Sequence, residues 1–331
     1  DADCARQDDL WYKLAHEHPE YINYNNKPRT QQTLDYLINA TGSDKNGINF
    51  DNVYLIRGGM LAESIHFPDN FSTWYPWYSA DVKQRVEEID DQNIDFQNGI
   101  YASGMVNGYD LTREIPMIRG GPLINDVLEK AKGVMDCYET ANSGKVTRCT
   151  DGDHWLKNLK YYVISGHDTS IAAYLTVLEA KPYVLPSKGY PSYSSAVITE
   201  FFIDTKTNSR YFRVLFHDNP DTCLRVITPF ITGCNMGEDF CKIEALQALA
   251  DKYAPPGGIE KVRGSIYHWC EQRITDSTTV ATPSADTTTN QPDNAASSTN
   301  TVPNIPTTTS PSSAVSSLLT FFIVALSALL F

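Results

Sequence analysis

A histidine followed directly by an aspartate, His167-Asp168, is the pair in this chain whose side chains and setting best suit chemistry on an anion. An imidazolium holds an oxyanion and a carboxyl gives up a proton, and acid–base catalysis combines the two roles. The setting is KYYVISGHDTSIAAYLTVL, Lys160 to Leu178. Tyr161 to Ile164 is a short aromatic and β-branched run, Ser165-Gly166 lets the backbone turn, and Ile171, Tyr174, Leu175 and Leu178 recur at helical spacing. The spacing predicts a buried strand that ends at the pair and a helix that begins there. In open α/β sheets ligands bind beyond the strand carboxyl ends, where the free N–H groups of a helix face them. Asp168 or Thr169 also suits an N-cap, and a polar residue at a strand end needs no further role, so the pair alone is a weak signal.

A second His-Asp, His217-Asp218, serves as an internal control. It closes a run that reads as a β-hairpin, Ala196 to Asp204 and Arg210 to His217 around Lys206-Thr207-Asn208, and Asn219-Pro220 follows instead of a helix. It reads as a strand-end turn. Helices are expected over Asp9–Glu17, Thr30–Thr41 with Gly42 as a stop, a stretch capped by Ser79 that carries Val82, Val86 and Ile89, Leu123–Lys132, and Glu238–Tyr253. Asn52 to Ile56 reads as a short strand or a helix start. Arg57-Gly58-Gly59 and Arg119-Gly120-Gly121 both read as helix-opening turns, since neither fits a phosphate-cradling loop. Trp74, Tyr75, Trp77 and Tyr78 read as packing, or in part as the wall of a substrate entrance.

The stretch VISGHDTSIAAYL resembles the second signature of the histidine acid phosphatases, the acid phosphatase and phytase branch of the histidine phosphatase superfamily. Further similarities follow in order: Glu63-Ser64-Ile65-His66 ahead of Trp74, Arg119-Gly120-Gly121-Pro122-Leu123-Ile124 opening a helix, and Ile198-Thr199-Glu200-Phe201-Phe202 in a strand. The resemblance extends over about residues 1 to 272 and implies a phosphoglycerate-mutase-like α/β core with a mainly helical subdomain. The domain organisation then reads as a helical subdomain at 1–115, the α/β core at 116–273, a disordered stalk at 274–317 and an apolar segment at 318–331.

The same resemblance implies hydrolysis of a phosphate monoester through a phosphohistidine, with His167 binding phosphate, Asp168 as proton donor and no cofactor or metal. The family's first signature, Arg-His-Gly-x-Arg-x-Pro, which carries the nucleophile, occurs around none of the seven histidines. The chain therefore reads as a C-terminal part whose core is incomplete at its N-terminus and which is inactive alone. The alternative is a non-catalytic surface glycoprotein that acts by binding.

With 41% hydrophobic content the chain can bury a real core, and its net charge of −13 speaks against nucleic acid as a partner. His16 and His18, two apart, face different ways on a helix and do not read as metal ligands. Seven cysteines and two sequons, at Asn39 and Asn70, imply the secretory route and an extracellular, cell-surface or lysosomal location. The expected disulfides are Cys4–Cys270, Cys137–Cys149 and Cys234–Cys241, with Cys223 left over. Between Thr275 and Ser317 stand 21 Ser or Thr, five Pro and no basic residue, the composition of an O-glycosylated stalk. Leu318 to Phe331 is an uncharged apolar terminus, which reads as a glycosylphosphatidylinositol anchor signal rather than a spanning helix. The expected partners are thus a phosphate monoester, a membrane and a second copy in a homodimer.

Overall fold

The computed structural model describes residues 4–143, 156, 159–185, 189–255, 270–274 and 318–328. The chain starts with α1 (Ala5–Asp9), a wide π-type turn at Leu10–Leu14 and a tight 3-10 turn at Ala15–Glu17, where one continuous helix is expected from the sequence. The helical layer continues through α2 (Pro19–Asn25), α3 (Pro28–Thr41), α4 (Tyr54–His66), α5 (Pro68–Trp74) and α6 (Ala80–Gln97). Ser79 caps α6 by accepting from the Val82 N–H, and Val82, Val86 and Ile89 pack with Leu34, Leu37 and Phe50. Gly58-Gly59 lies inside α4, not at its start. The helix-forming residues around the two glycines offset their cost of about 1 kcal/mol each.

A small ribbon, β1 (Met105–Val106) with β2 (Tyr109–Asp110), leads into α7 (Leu111–Arg119), which contains Pro116, and then α8 (Gly121–Ser143). The expected helix at Leu123–Lys132 is thus longer. Its extension is held from outside, because Arg210 donates to Asp136 at 2.7 Å and to Glu139 at 2.9 Å.

The sheet comprises β3 (Tyr161–Gly166), β4 (Ala196–Asp204), β5 (Arg210–His217), β6 (Arg225–Val226), β7 (Cys241–Lys242) and β8 (Leu318–Ala328). Its order is β3-β8-β4-β5-β6, with β7 also on β5. Among the described strands only β3 and β8 pair in parallel, from Tyr161 opposite Ile323 to Gly166 opposite Ala328. The apolar C-terminal segment, read from sequence as an anchor tail, is therefore an inner strand that separates β3 from β4. Among the described residues no helix is long and apolar enough to cross a membrane. The expected hairpin is present, with Glu200 directly opposite Arg213 and paired to it at 2.6 Å.

Behind the sheet lie α9 (Asp168–Val177), α10 (Lys181–Val184) and α11 (Ile243–Lys252). Helix α11 starts later than the expected Glu238 because Cys241 and Lys242 are drawn into the sheet beside β5. Phe201, Phe212 and Phe216 of the hairpin are fully buried against Ile124, Tyr174 and Leu246. Each such side chain contributes about 1.5–3 kcal/mol of burial free energy.

The start of the chain is tied to residues 270–274. Cys4 and Cys270 form a disulfide, Arg6 donates to Glu114 at 2.8 Å, and Asp9 accepts from the Ile274 N–H at 2.9 Å. Cys234 and Cys241 form a second disulfide, as expected. Cys137 is disulfide-bonded as well, while its expected partner, Cys149, and the expected stalk at 275–317 lie outside the described residues. Cys223 is free and exposed. These bridges fit an oxidising, secretory-type environment.

Candidate active site

The strand-to-helix turn forms as its pattern predicts, but β3 is not the buried strand expected: Tyr161 and Val163 are exposed and its other residues are exposed or half-buried. Strand β3 ends at Gly166 and α9 begins at Asp168, with the His167 carbonyl accepting from the Ser170 N–H at 2.9 Å and the Ile171 N–H at 3.2 Å. Ser170 Oγ accepts from the His167 N–H at 3.3 Å, and the Asp168 carboxylate accepts from the Thr169 N–H at 2.7 Å. The helix behind is seated by burial of every residue from Ile171 to Val177, and by a buried contact of 3.1 Å between the Tyr174 and Thr199 hydroxyls. Burial pushes the Tyr174 hydroxyl up to about 12, which keeps it neutral in that contact.

His167 is exposed and Asp168 half-buried, and both face a cleft of about 570 Å³. Arg119, at the end of α7, borders the same cleft. A Cβ on Gly120 would stand 2.4 Å from the Ala173 carbonyl oxygen, and one on Gly121 would stand 2.2 Å from the Tyr253 carbonyl oxygen. Only glycine permits so close an approach, so the Gly-Gly pair sets the arginine beside α9. Burial alone lowers the Arg119 pKa, and among the described residues no carboxylate pairs with it. Arg119 was not read as a site residue from sequence, because what aims it is the contact of Gly120 with Ala173, far along the chain. An Arg, a His and a helix N-terminus border one cleft, a set of groups able to hold an anion.

The control pair behaves otherwise. The His217 ring meets the Thr222 carbonyl at 2.8 Å, and Asp218 accepts from the Ser192 N–H at 3.3 Å, so both side chains serve the turn.

Opposite α9 stand Arg57 and Tyr190. Arg57 pairs with Asp90 at 3.0 Å and Asp91 at 2.6 Å, and its guanidinium lies 4.8 Å from the centre of the Tyr190 ring. The Tyr190 hydroxyl donates to Asp90, and burial, then the Asp90 charge and more weakly that of Asp168, raise its pKa.

Residues 3–217 match the profile of the histidine phosphatase superfamily, branch 2. The chain belongs to that family. Its α/β fold is of the phosphoglycerate-mutase-like type that the sequence resemblance implies. Over 214 residues it is 27% identical to a Caenorhabditis elegans protein named "Putative acid phosphatase 10", covering 64% of this chain and 50% of the relative. A second relative from that organism, "Putative acid phosphatase 11", is 30% identical over 182 residues, covering 54% and 42% respectively. The chain spans about half the length of these curated relatives.

Proposed function

We propose that this histidine phosphatase chain carries the phosphate-binding and proton-donating part of a phosphomonoesterase site. His167 and Arg119 hold oxygens of the phosphoryl group, and Asp168 protonates the oxygen of the departing alcohol. The P–O bond to that alcohol breaks as a histidine nitrogen bonds phosphorus, and water then hydrolyses the phosphohistidine. The observation that carries the reading is Arg119, a half-buried cation without an ion-pair partner among the described residues, in the cleft that His167 and Asp168 border.

The nucleophilic histidine is assigned to a segment outside these 331 residues. Two things support this: the Arg-His-Gly signature occurs nowhere here, and of the histidines described only His167 lines the cleft. Catalysis of phosphoryl transfer is mostly positioning and charge stabilisation around an attacking group, so the chain alone should turn over essentially no ester. The general acid must carry its proton, so the assembled enzyme works best in acid. Asn39 and Asn70, both exposed, are the acceptors for glycosylation.

The test joins this chain to an Arg-His-Gly-bearing segment of a relative. Asp168→Asn should slow alkyl esters about 100-fold or more and spare esters of activated phenols, which leave without a proton. Equal losses for both ester classes would remove Asp168 from the donor role. Turnover by the unextended chain would remove the outside nucleophile.

A further inference from the structure

Asp168 borders two clefts. One holds His167, Thr169 and Arg119, and the other, of about 610 Å³, extends between α4, α6 and the loop at 190–193. Because Asp168 stands where they join, the ester oxygen it protonates belongs at that junction. The phosphoryl group then points toward Arg119 and the alcohol into the second cleft.

The lining of that second cleft is aromatic and short of free positive charge. Phe71, Tyr78, Tyr190 and Tyr193 contribute rings. Tyr190 is held rigidly, since Arg57 covers it and a Cβ on the preceding Gly189 would stand 2.8 Å from the Asp91 Cα and the Ile94 Cβ. Of the two cations in the lining, Arg57 is held by Asp90 and Asp91, and Lys83 is solvent-exposed and stands 3.7 Å from Glu87. Glu87, Glu88 and Asp91 line it with Asp168 at the mouth, so carboxylates outnumber cations. A second phosphate placed there would meet like charge and no unpaired donor cation.

We propose, on the basis of the phosphate site above, that this cleft is the alcohol subsite and that it selects aromatic, uncharged or cationic alcohols while rejecting polyphosphorylated ones. An aromatic alcohol stacks between the tyrosines and gains by leaving water.

Calorimetric titration of the 331-residue chain in acid with inorganic phosphate, phenylphosphonate and inositol hexasulfate tests this. Phenylphosphonate should bind about tenfold more tightly than phosphate, the gain expected of one stacked ring, and the hexasulfate no more tightly than phosphate. Glu87→Lys, a change on the exposed side of α6, should raise hexasulfate affinity about tenfold. Phosphate binding with no gain from the phenyl group, or a hexasulfate preference in the wild type, overturns the subsite alone. No phosphate binding at all overturns the phosphate site and the subsite with it.

Discussion

Gly120 lies so close to Ala173 that no side chain fits between them: a Cβ on the glycine would stand 2.4 Å from the Ala173 carbonyl oxygen. This contact locks the end of α7 against α9 and thereby sets Arg119 beside His167-Asp168. Gly120→Ala should destabilise the fold by about 1–3 kcal/mol, the usual cost of overpacking. Denaturant unfolding checks it, and a loss below about 0.5 kcal/mol would mean that the two helices are free to separate.

The same contact shows where the sequence is readable. Strand β3, helix α9 and the hairpin of β4 and β5 follow from local periods of two and 3.6 and from turn residues, and so they are legible. Arg119 is not, because its direction depends on packing against Ala173, Val177 and Tyr253 far along the chain. Tyr190 and Tyr193 sit in a loop with no period to betray them. Leu318–Ala328 is uncharged and apolar except at Thr320 and Ser327, so its pairing with β3 and β4 leaves no mark in the sequence that separates a paired strand from a tail.

Asp9 gives a pH-dependent contribution to stability. Burial by itself raises its pKa, but the Ile274 N–H, Lys13 and Arg273 outweigh this and hold it below the usual carboxylate value. A lowered folded pKa stabilises above the unfolded value, about 3.9, and the benefit disappears as pH falls through the folded one. Asp9→Asn should therefore cost about 1–2 kcal/mol at pH 7 and progressively less toward pH 2, as unfolding curves at the two ends would show. A deficit that stays constant with pH would assign the loss to shape rather than charge.

Buried Lys181 pairs with Asp95, whose carboxyl is pushed up by burial and pulled back by the lysine. Taking the carboxylate away from a buried ammonium is strongly destabilising, so Asp95→Ala should cost up to about 3–5 kcal/mol. Adding Lys181→Met should recover much of this loss. A thermal melt of the three variants reads the cycle, and a double variant no better than Asp95→Ala would show that the lysine is solvated after all.

The bridge between Cys4 and Cys270 closes a separation of 266 residues, against 7 for Cys234 and Cys241. In the chain-entropy model the long loop is worth about 5.5 kcal/mol. Replacing Cys4 and Cys270 by serine should lower the melting temperature more than replacing the short pair. Non-reducing peptide mapping that joined Cys4 to Cys137 would contradict both the pairing and the ranking.

Leu318–Ala328 pairs with β3 on one side and β4 on the other. Deleting residues 318–331 should leave two strand edges unpaired and cost several kcal/mol. An unchanged melting temperature after the deletion, with release of the protein from cells by phosphatidylinositol-specific phospholipase C, would return the segment to an anchoring role.

The phosphate site itself is tested most directly by phosphorus NMR titration of inorganic phosphate into the 331-residue chain in acid, with three variants beside the wild type. Hydrogen bonds to charged groups are worth about 1.5–3 kcal/mol, so Arg119→Ala and His167→Ala should each weaken phosphate binding about 10- to 100-fold. His217→Ala should bind as the wild type does. Unaltered affinity in both Arg119→Ala and His167→Ala, or no binding by the wild type, would contradict the assignment of this cleft to phosphate.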